Sequence, residues 1–503
     1  MGSDALRPLA AAGLQLSASQ KSLRLLKEGL MKLICSTRVR LVKRAGWHET
    51  AFVLPNRTIG AIGEQVVYDG RAEAARYASS GSLQGWIDQV ARPASGNSRL
   101  VMAISAAFAG PLNDLLKGEG GGLHLVGGSS LGKSTALVAA GSVWGGGSRA
   151  GFCQTWRATD NGVESVARAH SGTILVLDEL GESGAREAGS IAYMLMNGVA
   201  KLRATRDAEA RRRDEWRLML LSAGEVGLGD KIAEGGRAAK AGQLVRIVDV
   251  PADAQAGFGL FENCKGEEPA QFARSIKEAA LRVYGTAGPA FVEALAKDLA
   301  AAEQEGRAKI RAMTKQVLGG AESADGQLIR VAERFALIAT AGEMARAALG
   351  LPWAEGEAEK AAQTCFGAWR ALRGGDDPGE IMAAMQAIRA TIERDGEAHF
   401  RKLIEDEPDL LLPPVRDLLG YRIKREGEVC YAFTATGWRE TLAGIGDPRM
   451  IAAILHQRGV LISGKDRSQR LFLKVDGRSV ATYAVRYGAL FKDEEKGDAI
   501  TSP

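Results

Sequence analysis

Eight residues, Gly127-Gly128-Ser129-Ser130-Leu131-Gly132-Lys133-Ser134, fit the pattern GxxxxGK[ST] and restrict the fold more than any other part of the chain. An apolar run, Leu123-His124-Leu125-Val126, enters the pattern, and a helical one leaves it near Ser134. A strand that turns through glycines into a helix leaves backbone N–H groups free at the turn, where they can bind phosphate oxygens. Such a unit belongs to α/β sheets, because the helix must pack back on the strand it leaves. In this arrangement Lys133 neutralises the β- and γ-phosphates of a nucleoside triphosphate and the Ser134 hydroxyl reaches Mg²⁺. Gly127, Gly128, Ser129, Ser130, Leu131, Gly132 and Thr135 complete the expected ATP cradle. The competing reading is a glycine turn with Lys133 solvated, and the flanking strand and helix weigh against it.

The run Ile174-Leu175-Val176-Leu177-Asp178-Glu179 is an apolar strand ending in two carboxylates. Asp178 is the candidate for the Mg²⁺ shell, and Glu179 for the group that orients and polarises the attacking water. A strand capped by acids is common alone; beside a phosphate loop it completes a hydrolytic site. A further strand over 216–222 ends in Ser222. Inserted between the loop strand and the Asp178 strand, it brings Ser222 to the γ-phosphate as a sensor; otherwise Ser222 merely ends a strand. The extra strand and adjacent glutamate separate ATPases of the AAA+ and RecA kind from simple kinases and GTPases.

Strand-like runs at 122–126, 153–157, 173–178, 216–222 and 243–250 alternate with helical patterns such as 134–140 and 162–170. That alternation predicts a three-layer α/β fold with a mostly parallel sheet, a P-loop ATPase core over 81–260 that begins with helix over 81–117. Residues 1–80 read as a small α+β domain, with a helix over 19–34 and strands over 38–42, 50–54 and 65–68. Residues 261–410 are mainly helical and form a lid or linker. In 411–490, Asp447-Pro448 starts a helix that Gly459 ends, strand-like runs follow at 460–463 and 470–475, and Asp476-Gly477 marks a tight hairpin into 480–487. A helix followed by a basic hairpin is the outline of a winged helix. Residues 491–503 read as a disordered tail.

A chain of 503 residues is too long for one core. Its net charge of +5 gives no global field, so any nucleic-acid contact must rest on local clusters. One lies over 198–215, with Lys201, Arg203, Arg206, Arg211, Arg212 and Arg213. On a ring ATPase, a hairpin with its tip at 207–210 faces the channel, and its cations track a DNA backbone; a solvated basic loop is the other reading. Arg237 and Arg246 are candidates for a finger reaching a neighbour's γ-phosphate, and Arg330 and Arg334 for sensing nucleotide from a lid. A surface ion pair competes with each. The five cysteines are scattered without a CxxC pair, which disfavours disulfides and zinc and favours a reducing cytoplasm. No apolar run reaches the ~18 residues of a membrane helix, and the start lacks a signal-peptide layout.

The runs GLHLVGGSSLGKSTAL, TWRATDNGVESVA, ILVLDELGES, WRLMLLSAGEVGL and QLVRIVDVPAD resemble the domain-of-unknown-function 927 family. GWHETAFVLPNRTIG and RVAERFALIATAGEMA resemble further segments of it, so the likeness runs from about residue 40 to the C-terminus. The resemblance implies an AAA+-like helicase or translocase of phages, plasmids and staphylococcal cassette chromosomes, often fused to or encoded near a primase. By position, Lys133 and Ser134 match the nucleotide loop, Asp178 and Glu179 the second motif, Ser222 the sensor strand, and Arg246 the arginine of the following strand. The N-terminal primase or zinc segment of some members has no counterpart, so a separate primase or replication initiator is the expected partner. The expectation is an ATP- and Mg²⁺-dependent DNA helicase, a ring hexamer on single-stranded or forked DNA, cytoplasmic and without a membrane anchor. The alternative is an AAA+ regulator or loader without unwinding activity, and after it a DNA-binding module with a vestigial ATPase.

Overall fold

The computed structural model describes residues 9, 13–15, 19–32, 38–69, 74–146, 151–156, 160–200, 214–235, 245–319, 326–373, 379–403, 416–425, 427–462, 464 and 469–490. An amphipathic helix, α1 (Gln20–Lys32), buries none of its residues. Strands β1 (Val39–Val42) and β5 (Gln65–Tyr68) pair in parallel, and β2 (Gly46–His48), β3 (Ala51–Val53) and β4 (Thr58–Ile59) form a small antiparallel meander. β1, β3 and β5 fall on the three short strands foreseen there, whereas β2 and β4 are additional.

The helical stretch foreseen over 81–117 contains α2 (Ser98–Leu115), which is buried around almost its whole circumference. That is the signature of a central helix rather than a surface one. It approaches the sheet so closely that a Cβ on Gly110 would overlap the Thr173 backbone. Next come β6 (Gly121–Val126), α3 (Lys133–Gly141), β7 (Gln154–Thr155), α4 (Asp160–Ala169), β8 (Ile174–Asp178), α5 (Ala185–Asn197), β9 (Met219–Gly224), α6 (Leu228–Ala233) and β10 (Ile247–Pro251). The five strands form one parallel sheet in the order β10-β6-β9-β8-β7. Strands β6, β8 and β9 are buried on nearly every residue, as a parallel sheet covered on both faces requires. Strand β9 therefore lies between the phosphate-loop strand and the Asp178 strand, where the sequence puts it.

Helices α7 (Pro269–Arg282), α8 (Ala287–Ala296), α9 (Leu299–Val317), α10 (Gly326–Leu349) and α11 (Glu357–Arg373) follow. They share one apolar core with the sheet and the N-terminal strands, a continuous cluster running from Trp47 to Trp369. The last helix of the run, α12 (Gly379–Asp395), belongs elsewhere. Its Ile381, Ala384, Ile388 and Ile392 pack in a second core with Phe400, Phe433, Trp438 and Leu455.

That second core covers a sheet in the order β11-β12-β13-β15-β14, formed by β11 (Phe400–Lys402), β12 (Gly420–Arg425), β13 (Glu428–Thr434), β14 (Leu471–Val475) and β15 (Arg478–Arg486). Only β11 and β12 pair in parallel. Helices α13 (Ala435–Thr441) and α14 (Pro448–Gln457) are inserted between β13 and β14. Asp447 caps α14 by accepting from the Arg449 N–H at 2.8 Å, with Pro448 at the first helical position. Asp476 and Gly477 both take positive φ, 47° and 73°, as a two-residue hairpin demands. Two features differ from expectation. The hairpin β12–β13 is additional, and the described part of 460–463, residues 460–462, makes only an isolated bridge at Leu461 instead of a strand. The tail 491–503 lies outside the described residues.

Candidate active site

The loop between β6 and α3 turns through left-handed backbone at Ser130 (φ 64°) and Gly132 (φ 101°). Gly132 has a second constraint, since a Cβ there would stand 3.3 Å from the Phe261 ring. Gly128, Ser129 and Ser130 are exposed, Lys133 and Ser134 half-buried and Thr135 fully buried. The Lys133 ammonium donates to the Gly127 and Gly128 carbonyls at 2.7 and 2.5 Å, so it folds over its own loop. Burial lowers its pKa, and the carboxylates of Glu225 and then Asp178 act against that shift. Both acids therefore lie within electrostatic reach of Lys133.

These residues fit a triphosphate. The start of α3 leaves the Lys133 and Ser134 N–H groups for a ligand, while the Thr135 N–H donates to the Gly132 carbonyl at 2.9 Å. A Cβ on Gly128 would meet open space, and the buried Thr135 hydroxyl has no hydrogen-bond partner among the described residues. Among the described residues no group of three or more His, Cys, Asp or Glu could hold a metal. A cation here would have to draw on Ser134, Asp178 and phosphate oxygens, the arrangement Mg²⁺ commonly takes. Asp178 ends β8 half-buried, and its Oδ1 accepts the Glu179 N–H at 3.0 Å. Glu179 itself is left-handed (φ 59°, ψ 62°). For a residue with a Cβ that conformation costs on the order of 1 kcal/mol, and such strain concentrates at functional positions.

Ser222 is not where the sensor reading needs it. Its side chain is fully buried, its Oγ accepts the Trp156 indole N–H at 2.8 Å, and it lies 3.0 Å from His124 Nδ1. His124 Nε2 lies 3.0 Å from the Val226 carbonyl, which can only accept. Nε2 therefore carries the imidazole proton, and the serine hydrogen goes to Nδ1. This closed network ties β6, β9 and the segment after β7 together beneath the loop. The residue that does share the field of Lys133 at the end of β9 is Glu225, exposed and one step past the strand. Sequence reasoning passed over it, although an acid closing an apolar run is the signal that singled out Asp178.

The trailing arginines separate. Arg246 precedes β10, and its backbone carbonyl accepts the Gly122 N–H at 2.9 Å, at the start of β6. The phosphate loop leaves the far end of β6, about 16 Å away at ~3.3 Å per residue. Arg246 therefore cannot serve the loop of its own chain, and its guanidinium donates to Asn197 Oδ1 at 3.4 Å. Arg334 does not sense nucleotide: it packs against Gly121 and donates to the Val245 carbonyl, with burial lowering its pKa to about 10. Arg330 is exposed on α10. Arg237 and the cluster Lys201, Arg203, Arg206, Arg211, Arg212 and Arg213 lie outside the described residues.

The fold and site define a parallel α/β sheet with a glycine-rich loop and an acidic strand end on either side of an inserted strand. Residues 1–215 match the family described as Domain of unknown function (DUF927), the family that the motifs resemble; that match spans under half of the chain. No curated protein matches the chain. One similar solved structure is described as "SCCmec type IV Cch - active helicase", with a TM-score of 0.72 at 16% identity over 96% of this chain and 87% of that one. At that identity the likeness is one of fold. Among the described residues no helix is long and apolar enough to cross a membrane.

Proposed function

We propose that the protein is an ATP-dependent DNA helicase or translocase, working as a ring hexamer in the replication of a mobile genetic element. The observation that carries the reading is the position of β9 between β6 and β8, with Lys133, Asp178 and Glu225 in one electrostatic field. This is the strand order expected of an AAA+-type core, with α7 to α11 as its helical lid. The likeness in fold to the SCCmec helicase adds to it.

On this reading Lys133 exchanges the Gly127 and Gly128 carbonyls for phosphate oxygens. Loop amides from Gly128 to Gly132 and those of Lys133 and Ser134 hold the remaining oxygens, with Gly127 shaping the turn and the Thr135 hydroxyl beneath it. Ser134 and Asp178 hold Mg²⁺, which would supply positive charge to the phosphates and leaving group. Glu179 orients the attacking water and takes its proton. A neighbour's Arg246 or Arg237 completes the site in trans. The 201–213 segment follows single-stranded or forked DNA, and the C-terminal unit, with α14 and the β14–β15 hairpin, is a winged-helix-like module for duplex DNA or a partner. A separate primase or initiator and a cytoplasmic setting complete the proposal.

The test is ATPase activity with and without single-stranded DNA. Stimulation in the wild type that is lost in Arg203→Ala combined with Arg206→Ala supports the helicase reading. Robust hydrolysis that DNA leaves unchanged would favour a regulatory or remodelling ATPase instead.

A further inference from the structure

After β10 the chain stays beside the phosphate loop. The Leu260 N–H donates to the Leu131 carbonyl at 2.8 Å, and a Cβ on Gly259 would lie 2.8 Å from that same oxygen. Two residues further on, Phe261 packs under Gly132. The Ala254 N–H closes the turn by donating to the Gly259 carbonyl at 2.7 Å. Helix α2 fixes this turn from the other side. Arg99 donates to the Pro251 and Asp253 carbonyls at 3.3 and 3.2 Å, and Asn97 Oδ1 accepts the Glu262 and Asn263 N–H groups at 2.9 Å each.

Between Gly257 (φ 83°) and Gly259 (φ 65°) stands Phe258. Phe261, on the same turn, is 2% exposed, whereas Phe258 is 43% exposed. An aromatic ring left in water forgoes favourable burial, yet here two left-handed glycines and a bonded turn leave it exposed on a segment whose next three residues all contact the loop. The phosphates of a nucleotide in that loop have oxygen-binding groups already; its base has none assigned.

We propose that Phe258 is the platform on which the nucleotide base stacks, an inference that rests on the Lys133 loop binding a nucleoside triphosphate. Stacking on an aromatic face is tolerant of base identity, so Phe258 sets affinity for nucleosides against bare phosphates more than it selects among bases. It touches the substrate far from the reacting bond. Its loss should therefore raise KM and leave kcat nearly intact.

The experiment measures KM and kcat for ATP, and inhibition by inorganic tripolyphosphate, which has the charges and no base, in wild type, Phe258→Ala and Phe258→Trp. The expected result is a rise in KM on the order of tenfold in Phe258→Ala, the size an aromatic stack commands, with tripolyphosphate inhibition unchanged and KM restored in Phe258→Trp. An unchanged KM overturns the proposal, and so does an equal weakening of ATP and tripolyphosphate, which would mark a disturbed phosphate loop. If the wild type hydrolyses no ATP, the nucleotide reading itself fails and takes the platform with it, a result distinct from the other two.

Discussion

Replacing Ser222 with alanine removes one hydroxyl on which two buried groups depend. The Trp156 indole N–H and His124 Nδ1 would both lose their partner, at roughly 1–3 kcal/mol for each unsatisfied buried group. Ser222→Ala should therefore lower the urea midpoint clearly, while Lys133→Ala, at the half-exposed loop, should abolish hydrolysis and barely move it. A Ser222→Ala protein with wild-type stability and no ATPase would restore the sensor role. Acid should act through the same imidazole. Burial holds His124 at about 4 and His170 at about 3, against 6.5 in an open chain. The unfolded chain thus takes up two protons below pH ~6.5 that the fold refuses. Asp249, raised by burial to about 6 from 3.8, works the other way, because the fold takes up its proton first. From these three groups one net proton favours unfolding, a fall of about 1.4 kcal/mol per pH unit between pH 6 and 4, and His48, also lowered by burial, acts in the same direction. Urea midpoints at pH 7, 6 and 5 measure it, and a midpoint that rises with acid contradicts it. Lys133 and Asp178 were legible as residues because their chemistry is written in a contiguous motif. Ser222 was not, since whether a strand's last polar residue faces ligand or core depends on neighbours brought in from β6 and the segment after β7.

Strands carried their own signature: β6, β8 and β9 are apolar runs, and their order follows from the need to set an acidic strand end beside a phosphate loop. The turn after β10 had no such pattern, because its role rests on backbone contacts with Leu131 that no periodicity encodes. Gly259 is where those contacts are tightest. A β-branched side chain there would meet both a left-handed φ of 65° and an oxygen 2.8 Å from its Cβ. Gly259→Val should displace the turn from the loop and raise KM for ATP several-fold, since the sheet beneath does not depend on it. Calorimetry alongside steady-state kinetics checks both halves, and an unaltered KM would show that the turn does not shape the site. The hairpin β12–β13 escaped notice for a different reason. Its two strands pair with each other from Gly420↔Phe433 to Arg425↔Glu428, but they are held in place by the flanking strands β11 and β15, which no local pattern announces.

Across the whole molecule, packing groups the chain differently from composition. Helicity continues from α7 to α12, which suggests one helical region, but α11 closes the first core while α12 lies in the second. A chain ending at Arg373 should unfold in a single cooperative transition. One ending at residue 410 keeps α12 without its sheet, exposes Ile381, Ile388 and Ile392, and should aggregate. Equal solubility of the two would refute this division of cores. Separate cores for α11 and α12 also suit the proposed work, with nucleotide chemistry on one side of that divide and duplex or partner contact on the other. Strand displacement on a forked DNA duplex tests that work most directly. Wild-type protein should separate the strands with ATP and Mg²⁺ and fail with a non-hydrolysable analogue, and Lys133→Ala should fail under every condition. Unwinding by Lys133→Ala at the wild-type rate, or none by a wild type that hydrolyses ATP, would contradict it.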